Sequence, residues 1–323
     1  MRLERLRVEA YRPEHRGRWN ALVRASKNGT FLFHRDFMEY HRDRFEDLSL
    51  VAIEGEDNIV ALLPAARERR QDGDWLSTHP GLTYGGWVSD QRMTTPIMLQ
   101  LFDLLRAWAS AERIMGLRYK AMPSCYHRLP AEEDLYALFV QGAALVRQDV
   151  SSVIELGGAP AWSKGKRQPL AKARAAGVSV TESRDLEAFM EMLGEVLSAH
   201  GVAPVHTAEE LAQLMAAFPD EIRLYAAGLD GRAVAFVLLF DAGQTVHTQY
   251  MASGPDGRAV GGLEAIVDHI QHTAYAGRRF LSFGVSTEDG GRVLNHGLVS
   301  QKEMFGARAV VAPTYELTFT PPA

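Results

Sequence analysis

The sequence predicts an α/β fold, in which mixed, mostly antiparallel sheets are flanked by helices. Strand-like and helix-like runs alternate along the whole chain. Two sets of strand-like runs are joined by short turns, at residues 54–58 and at Asp230-Gly231, as in hairpins and meanders. The clearest helix, at 94–111, has Thr94 at its start and Pro96 in its first turn.

The first half contains a strand at 3–11, a short helix at 15–26 and a helical apolar pattern at 31–45. A hairpin of residues 48–53 and 59–66 follows. A glycine-rich stretch at 79–87, the helix at 94–111 and a strand at 114–119 come next. This order predicts a first domain over residues 1–150.

The second half begins near Ser151 and predicts a domain over residues 151–323. The expected helices are, in order, a basic one from Ser163 to Gly177 and others at 186–200, 207–218, 263–276 and 297–305. The expected strands are at 178–181, 222–228, 233–240, 245–251, 280–285 and 310–318. The two halves therefore share a gross order of elements.

Composition excludes several classes of protein. The 323 residues carry a net charge of −5, which disfavours a protein whose main work is gripping a nucleic-acid backbone. The single cysteine, Cys125, allows neither an internal disulfide nor a Cys/His zinc site, so no metal is expected. The charged N-terminus and the lack of a 20-residue apolar run predict a cytoplasmic protein without a membrane span.

One candidate site follows the strand at 245–251. The segment Ser253-Gly-Pro-Asp-Gly-Arg258-Ala-Val-Gly261-Gly262 joins a strand end to a helix start, where unpaired N–H groups can bind an anion. Ser253, Arg258, Gly261 and Gly262 are therefore candidates for binding a phosphate-bearing donor. The segment lacks both the P-loop and the dinucleotide fingerprint, and a plain strand–helix turn is the alternative.

A second candidate lies in Gly297-Leu298-Val-Ser-Gln301-Lys302-Glu-Met-Phe305-Gly306. Lys302 stands on a short predicted helix with apolar neighbours. A lysine near a buried site can donate to a carbonyl oxygen that becomes an oxyanion. A solvated surface lysine is the alternative.

These motifs resemble those of the Fem-type aminoacyl transferases and of the related acyltransferase domain grouped with the GNAT acetyltransferases. The similar features are a strand ending in Tyr250-Met-Ala-Ser253, a helix, a strand ending in Phe283-Gly284 and the Lys302 element. The basic 163–178 segment and, more loosely, the 31–40 segment, the 59–64 strand and Tyr84-Gly-Gly-Trp-Val are also similar.

The resemblance implies two tandem GNAT-like domains and the transfer of an acyl group to an amine. It places Lys302 near the transferred acyl group, Tyr250 on the strand that lines the site, and Phe283 and Gly284 at the strand end opposite. The expected substrate-binding residues are Phe283, Gly284, Tyr84, Gln249 and His206. Gln301 departs from the aromatic residue usual in the Fem pattern.

Histidines are candidates for the base that takes a proton from the amine. His247 is preferred, and His206 lies beside the capping box at Thr207. Strand alternation places His247 and Gln249 on one face and Tyr250 on the other, unless a bulge intervenes.

The sequence therefore predicts an N-acyltransferase that uses acyl-CoA to acylate an amine of a small molecule or cell-envelope precursor. No Ser/His/Asp or Cys/His set appears, so no covalent intermediate is expected. One alternative is a Fem-type transferase that uses aminoacyl-tRNA. The basic 164–174 segment suits the phosphates of tRNA, CoA or a nucleotide-sugar, and a solvated helix face is the alternative for it. A GNAT-like binding protein without turnover is the alternative of another class.

Overall fold

The computed structural model describes residues 6–158, 161–199 and 201–319. The described residues divide into two compact units. Those within Met1–Asp149, Gly290–Arg292 and Val311–Ala323 form the first unit, and those within Val150–Asp289 and Val293–Val310 form the second. The residues from 311 onward, assigned to the second domain by the sequence, thus cluster with the first unit. The division into functional domains at 1–150 and 151–323 stays a prediction.

The helices are α1 (Arg16–Ala25), α2 (Arg35–Met38), α3 (Thr95–Ala111), α4 (Glu133–Val140), α5 (Lys164–Ala175), α6 (Leu186–Ser198), α7 (Ala208–Ala217), α8 (Pro255–Val260), α9 (Gly262–His269) and α10 (His296–Glu303). The strands are β1 (Leu6–Ala10), β2 (Leu50–Glu54), β3 (Asn58–Leu63), β4 (Ala65–Arg70), β5 (Gly73–Thr78), β6 (Val88–Ser89), β7 (Ile114–Lys120), β8 (Ala144–Glu155), β9 (Ser179–Ser183), β10 (Ile222–Leu229), β11 (Arg232–Asp241), β12 (Thr245–Ser253), β13 (Phe280–Val285), β14 (Thr287–Glu288), β15 (Val293–Leu294) and β16 (Arg308–Thr318).

The first unit contains a four-stranded sheet in the order β1-β2-β3-β6 and a second run of strands in the order β4-β5-β7-β16. β5 and β7 are parallel and are connected through α3, whereas the other pairs are antiparallel. The apolar side of α3, with Leu101, Phe102 and Leu105, packs into the core with Trp87 and Tyr119. Burying this apolar stripe, rather than helix propensity, holds α3 on the strands.

The second unit contains strands in the order β8-β13-β12-β11-β10-β9. The predicted meander of β10, β11 and β12 is antiparallel, while β12 and β13 are parallel because α8 and α9 connect them. Ile266 and Val267 of α9 are fully buried in the core of this unit. The predicted α/β class, with mostly antiparallel sheets flanked by helices, is confirmed.

The pairing of β12 with β13 is short, and this opens a site. Thr245 pairs with Phe280, Val246 with Leu281 and His247 with Ser282, and the two strands pair no further. β12 nevertheless continues to Ser253 and β13 to Val285. A wedge therefore opens between the C-terminal ends of two parallel strands.

β12 contains a bulge at Gln249. Tyr250 pairs with Leu238 but Thr248 already pairs with Leu239, so Gln249 is the extra residue. His247 pairs with Phe240, which lies two residues from Leu238 on β11. Paired residues share a face of the sheet. His247 and Tyr250 therefore lie on the same face, which regular alternation would not allow.

Several local expectations were wrong. The helix predicted over 31–45 is instead a 3₁₀ turn at Phe31–Phe33, the one-turn helix α2 and a second 3₁₀ turn at Glu39–His41. The predicted loop at 253–262 is mostly the helix α8. The polar β4–β5 hairpin, α4 and β8 were not predicted. The first three residues of the strand predicted at 3–11 lie outside the described residues.

Candidate functional site

A cavity of about 470 Å³ lies in the second unit. Its apolar wall consists of Pro169, Val196, Met251, Leu263, Phe283, Leu298 and Phe305. Its polar wall consists of Ser253, Arg258, Glu264, Gln301 and Lys302, and Gly257 completes the lining. The cavity is therefore formed by the strand ends of β12 and β13, by the helices that follow them, and by α5 and α6.

Lys302 is buried against the strand end of β13. Its side chain leaves α10, the residue is only 8% exposed, and Nζ donates to the carbonyl oxygens of Gly284 at 3.0 Å and Val285 at 2.8 Å. A third donation goes to Oγ of Ser286 at 2.8 Å. Desolvation lowers the pKa of Lys302 to about 8. An ammonium has three donors, so all three are used by protein acceptors.

Gly284 terminates the regular part of β13. Its φ is +69°, in the left-handed region that glycine adopts without strain. A Cβ at this position would lie 3.1 Å from Cε1 of His247. The turn aims the carbonyl groups of 284 and 285 at Lys302, so the glycine and the lysine together fix the end of the strand.

Tyr250 and His206 form a pair, but neither lines the cavity. The Tyr250 hydroxyl lies 2.8 Å from Nδ1 of His206 and accepts from the backbone N–H of Val205 at 3.3 Å. Burial raises the pKa of Tyr250, and a hydrogen bond with Gln249 opposes the rise. The Tyr250 ring also lies near Phe189 of α6. These contacts anchor the segment between α6 and α7 to the sheet.

His247 lies on the Tyr250 face of the sheet, next to the wedge. Its Nδ1 is 3.4 Å from Oγ of Ser282. The cavity residues Met251 and Ser253 pair with Val237 and Ala235 and lie on the opposite face. The three predicted catalytic residues, Lys302, Tyr250 and His247, are therefore not all brought to one cavity.

The segment 253–262 differs from the predicted open loop. Nη1 of Arg258 donates to the carbonyl oxygen of Ser253 at 2.5 Å, and the Arg258 side chain is exposed at the rim of the cavity. Gly261 is left-handed, with φ +84°, and a Cβ there would lie 2.3 Å from the carbonyl oxygen of Pro169. Gly262 is buried, with its Cβ position 3.1 Å from Ala235. The two glycines pack against α5 and β11, so they do not form an open cradle for a pyrophosphate.

Sequence reasoning missed the acidic group of the cavity. Glu264, in the first turn of α9, accepts a hydrogen bond from Nζ of Lys166 at 2.7 Å. The Lys166 ammonium also lies 4.3 Å from the ring centroid of Phe305. The two partners are 98 residues apart in the sequence, and no local motif signals the pair. Lys166, predicted to be part of a phosphate-binding face, is instead committed to this ion pair.

Tyr84 lies in the first unit and is 2% exposed. Its hydroxyl bonds to Oγ1 of Thr30 at 3.2 Å, and burial raises its pKa. The ring packs near Phe33 and Tyr126. This environment makes Tyr84 a core residue of its unit, in contrast to the predicted substrate-binding role.

Much of the second unit matches a known domain family. Residues 163–289 match the family model described as the acetyltransferase (GNAT) domain. This match confirms the predicted GNAT-type acyltransferase domain for residues 163–289, and a likeness of fold to solved structures extends over nearly the whole chain.

Two solved structures illustrate the fold likeness. One is FemX, at 11% identity and a TM-score of 0.71, covering 96% of this chain and 97% of that chain. Another is L-PGS from Bacillus licheniformis, at 12% identity and a TM-score of 0.60, covering 94% of this chain and 91% of that chain. At these identities the likeness is one of fold. No protein of curated function matches the chain in sequence.

The described residues contain no helix that is both long and apolar enough to cross a membrane. Within the same part of the chain, no group of three or more His, Cys, Asp and Glu side chains is arranged to hold a metal ion.

Proposed function

We propose that this protein transfers an acyl group from an activated ester or thioester to an amine, with the acyl carbonyl bound at the wedge between β12 and β13. The observation that carries the proposal is the buried Lys302 cation in the wall of a largely apolar cavity at that wedge. A fixed positive charge in a site of low dielectric stabilises negative charge that develops on a carbonyl oxygen.

In the proposed reaction the amine nitrogen bonds to the acyl carbon, and the bond from that carbon to the donor's oxygen or sulfur breaks. The proton lost by the amine leaves with the released alcohol or thiol. Lys302 acts through its charge and through the strand end that it holds. For Lys302 to donate a hydrogen bond directly to the oxyanion, its ammonium must first break one of its three present hydrogen bonds.

The geometry bears on the choice between the two predicted donors. The first turn of α9, where a CoA pyrophosphate was expected, is covered by Pro169 and carries the carboxylate of Glu264. Like charges repel, so this arrangement disfavours a pyrophosphate there. The exposed cations of α5, Lys164, Arg167 and Lys172, suit the backbone of a nucleic acid. These features support aminoacyl-tRNA over acyl-CoA as the donor.

A transfer assay tests the proposal. The purified protein is incubated with a panel of primary amines and either acyl-CoA esters or aminoacyl-tRNA, and amide products are measured by mass spectrometry. We expect product with at least one donor and its loss in Lys302→Met. The matched control is Arg232→Met, which removes an exposed cation of β11 outside the cavity lining and outside α5. Donor binding without any product would favour a GNAT-like binding protein.

A further inference from the structure

Glu264 has an unused hydrogen-bond acceptor in the cavity. Its Oε1 accepts from Lys166, and its side chain is 12% exposed. Among the described residues no hydrogen bond reaches Oε2, and this atom is not sealed from solvent. Oε2 is open to the cavity, and a charged donor on a ligand would form a charge-assisted hydrogen bond with it, which is stronger than one with a neutral donor.

The carboxylate is also held in place. Lys166 is 10% exposed on its side chain, and its ammonium is confined between Glu264 and the face of the Phe305 ring. Confinement on both sides keeps the ion pair from swinging out of the cavity wall. Oε2 is therefore a fixed feature of the site.

The cations Lys302 and Arg258 already donate to acceptors of the protein, whereas Oε2 of Glu264 accepts no hydrogen bond from the described residues. Lys302 donates all three of its N–H groups, to the carbonyl oxygens of Gly284 and Val285 and to the hydroxyl of Ser286. Arg258 is turned back onto Ser253 and faces solvent with its other N–H groups. The inner polar atom of the cavity that has no hydrogen-bond donor is therefore a carboxylate oxygen, which favours a ligand with a positive charge.

We propose that Glu264 binds the ammonium of the acceptor, and that the acceptor is a primary amine on an aliphatic chain. The chain would lie on the apolar wall, which includes Met251, Phe283 and Phe305. An alkylammonium offers the carboxylate a positively charged donor and offers the wall an apolar chain, whereas an alcohol of the same length offers only a neutral donor with that chain. The assignment of this cation to the acceptor rests on the proposed function; the cation site itself does not.

Binding of n-hexylammonium, with 1-hexanol as the neutral probe of similar shape, tests the site without any turnover. We expect hexylammonium to bind the intact protein at least tenfold more tightly than hexanol, measured by NMR titration. Glu264→Gln keeps the side chain's shape and an acceptor for Lys166, and is expected to weaken hexylammonium binding tenfold to a hundredfold without affecting hexanol. The control Glu303→Gln, an exposed carboxylate of α10 outside the cavity lining, should change neither affinity.

Lys166→Met provides a second variant. It removes the competing cation and leaves the carboxylate, so hexylammonium should bind at least as tightly as to the intact protein. Equal affinities for the two probes, or unchanged hexylammonium binding in Glu264→Gln, would overturn the site.

Kinetics then separate this inference from the proposed function. In an active preparation, hexylammonium should compete with the acceptor amine, and Glu264→Gln should raise KM for the amine more than it lowers kcat. Competition with the acyl donor alone would overturn the assignment to the acceptor. Charge-selective hexylammonium binding without any transfer would leave the cation site standing and count against the transferase.

Discussion

Replacing Lys302 by methionine is the most direct perturbation of the candidate site. The change keeps the length of the side chain and removes its charge and its three hydrogen bonds. If the positive charge stabilises an oxyanion, kcat should fall by about 10²–10³ while KM changes little, since the interaction strengthens in the transition state.

The structure also fixes what should happen to stability. Three acceptors lose a donor, at about 1–1.5 kcal/mol each. Against this, the native protein bears the cost of burying the charge: a pKa of about 8 instead of 10.5 corresponds to about 3 kcal/mol at neutral pH. The two contributions nearly cancel, so the free energy of unfolding should fall by no more than about 2 kcal/mol and Lys302→Met should fold.

The pH dependence distinguishes this account from a loss of packing. Between pH 8 and 10.5 the unfolded state binds more protons at Lys302 than the native state, so the free energy of unfolding should rise with pH in that window. Activity should instead fall as pH rises through about 8, because the ammonium loses its charge. Urea unfolding and kcat, each measured from pH 6 to 10.5, should lose these trends in Lys302→Met. A folded variant with near-normal kcat would refute the catalytic role.

Three further outcomes follow from other parts of the chain. Gly284→Ala should destabilise the protein by roughly 1–2 kcal/mol, by thermal unfolding, because its φ is +69°. Asp134 is buried and hydrogen-bonded at 2.5 Å to Tyr119, and burial raises its pKa to about 6. The native state then holds the extra proton, so stability should fall as pH rises from 3.8 to 6, and urea unfolding of Asp134→Asn should lack this slope. Reversing the charges of Arg167 and Lys172 should weaken tRNA binding and flatten its salt dependence, and an unchanged salt slope would assign α5 to solvent.

Local pattern was sufficient to predict most of the second unit. Alternating apolar residues with short polar turns identified the meander of β10, β11 and β12, and the Thr207–Glu210 capping box identified α7. The hairpin of β4 and β5 escaped because its residues 67–70 are charged and show no apolar alternation. β5 is also held by its pairing with β7, which is distant in the sequence, and a local pattern does not contain that contact.

The candidate site could be predicted only in part from the sequence, because several of its contacts join residues that are distant along the chain. The family resemblance singled out Lys302 and Phe283, and both line the cavity. Regular strand alternation placed Tyr250 and His247 on opposite faces, because the bulge at Gln249 depends on the partner strand and leaves no local signature. Glu264 went unnoticed because its role depends on Lys166, brought to it by the packing of α5 on α9.

Each unit contains a pair of parallel strands connected through helices, β5 with β7 and β12 with β13. The space beyond the paired residues is filled in the first unit and open in the second. In the first unit β5 and β7 pair from Asp74 to Ser77, and a further bridge joins Gly85 to Ala121 beyond the end of β5. The Tyr119 hydroxyl fills the adjacent space, accepting from the N–H of Trp87 and donating to a buried carboxylate. In the second unit the corresponding strands separate after three pairs, and the space between them leads to the cavity with its lysine and its carboxylate. Because a carbonyl group needs open space beside a fixed charge, the wedge of the second unit suits the proposed acyl transfer, whereas the first unit has filled the corresponding position with its own core.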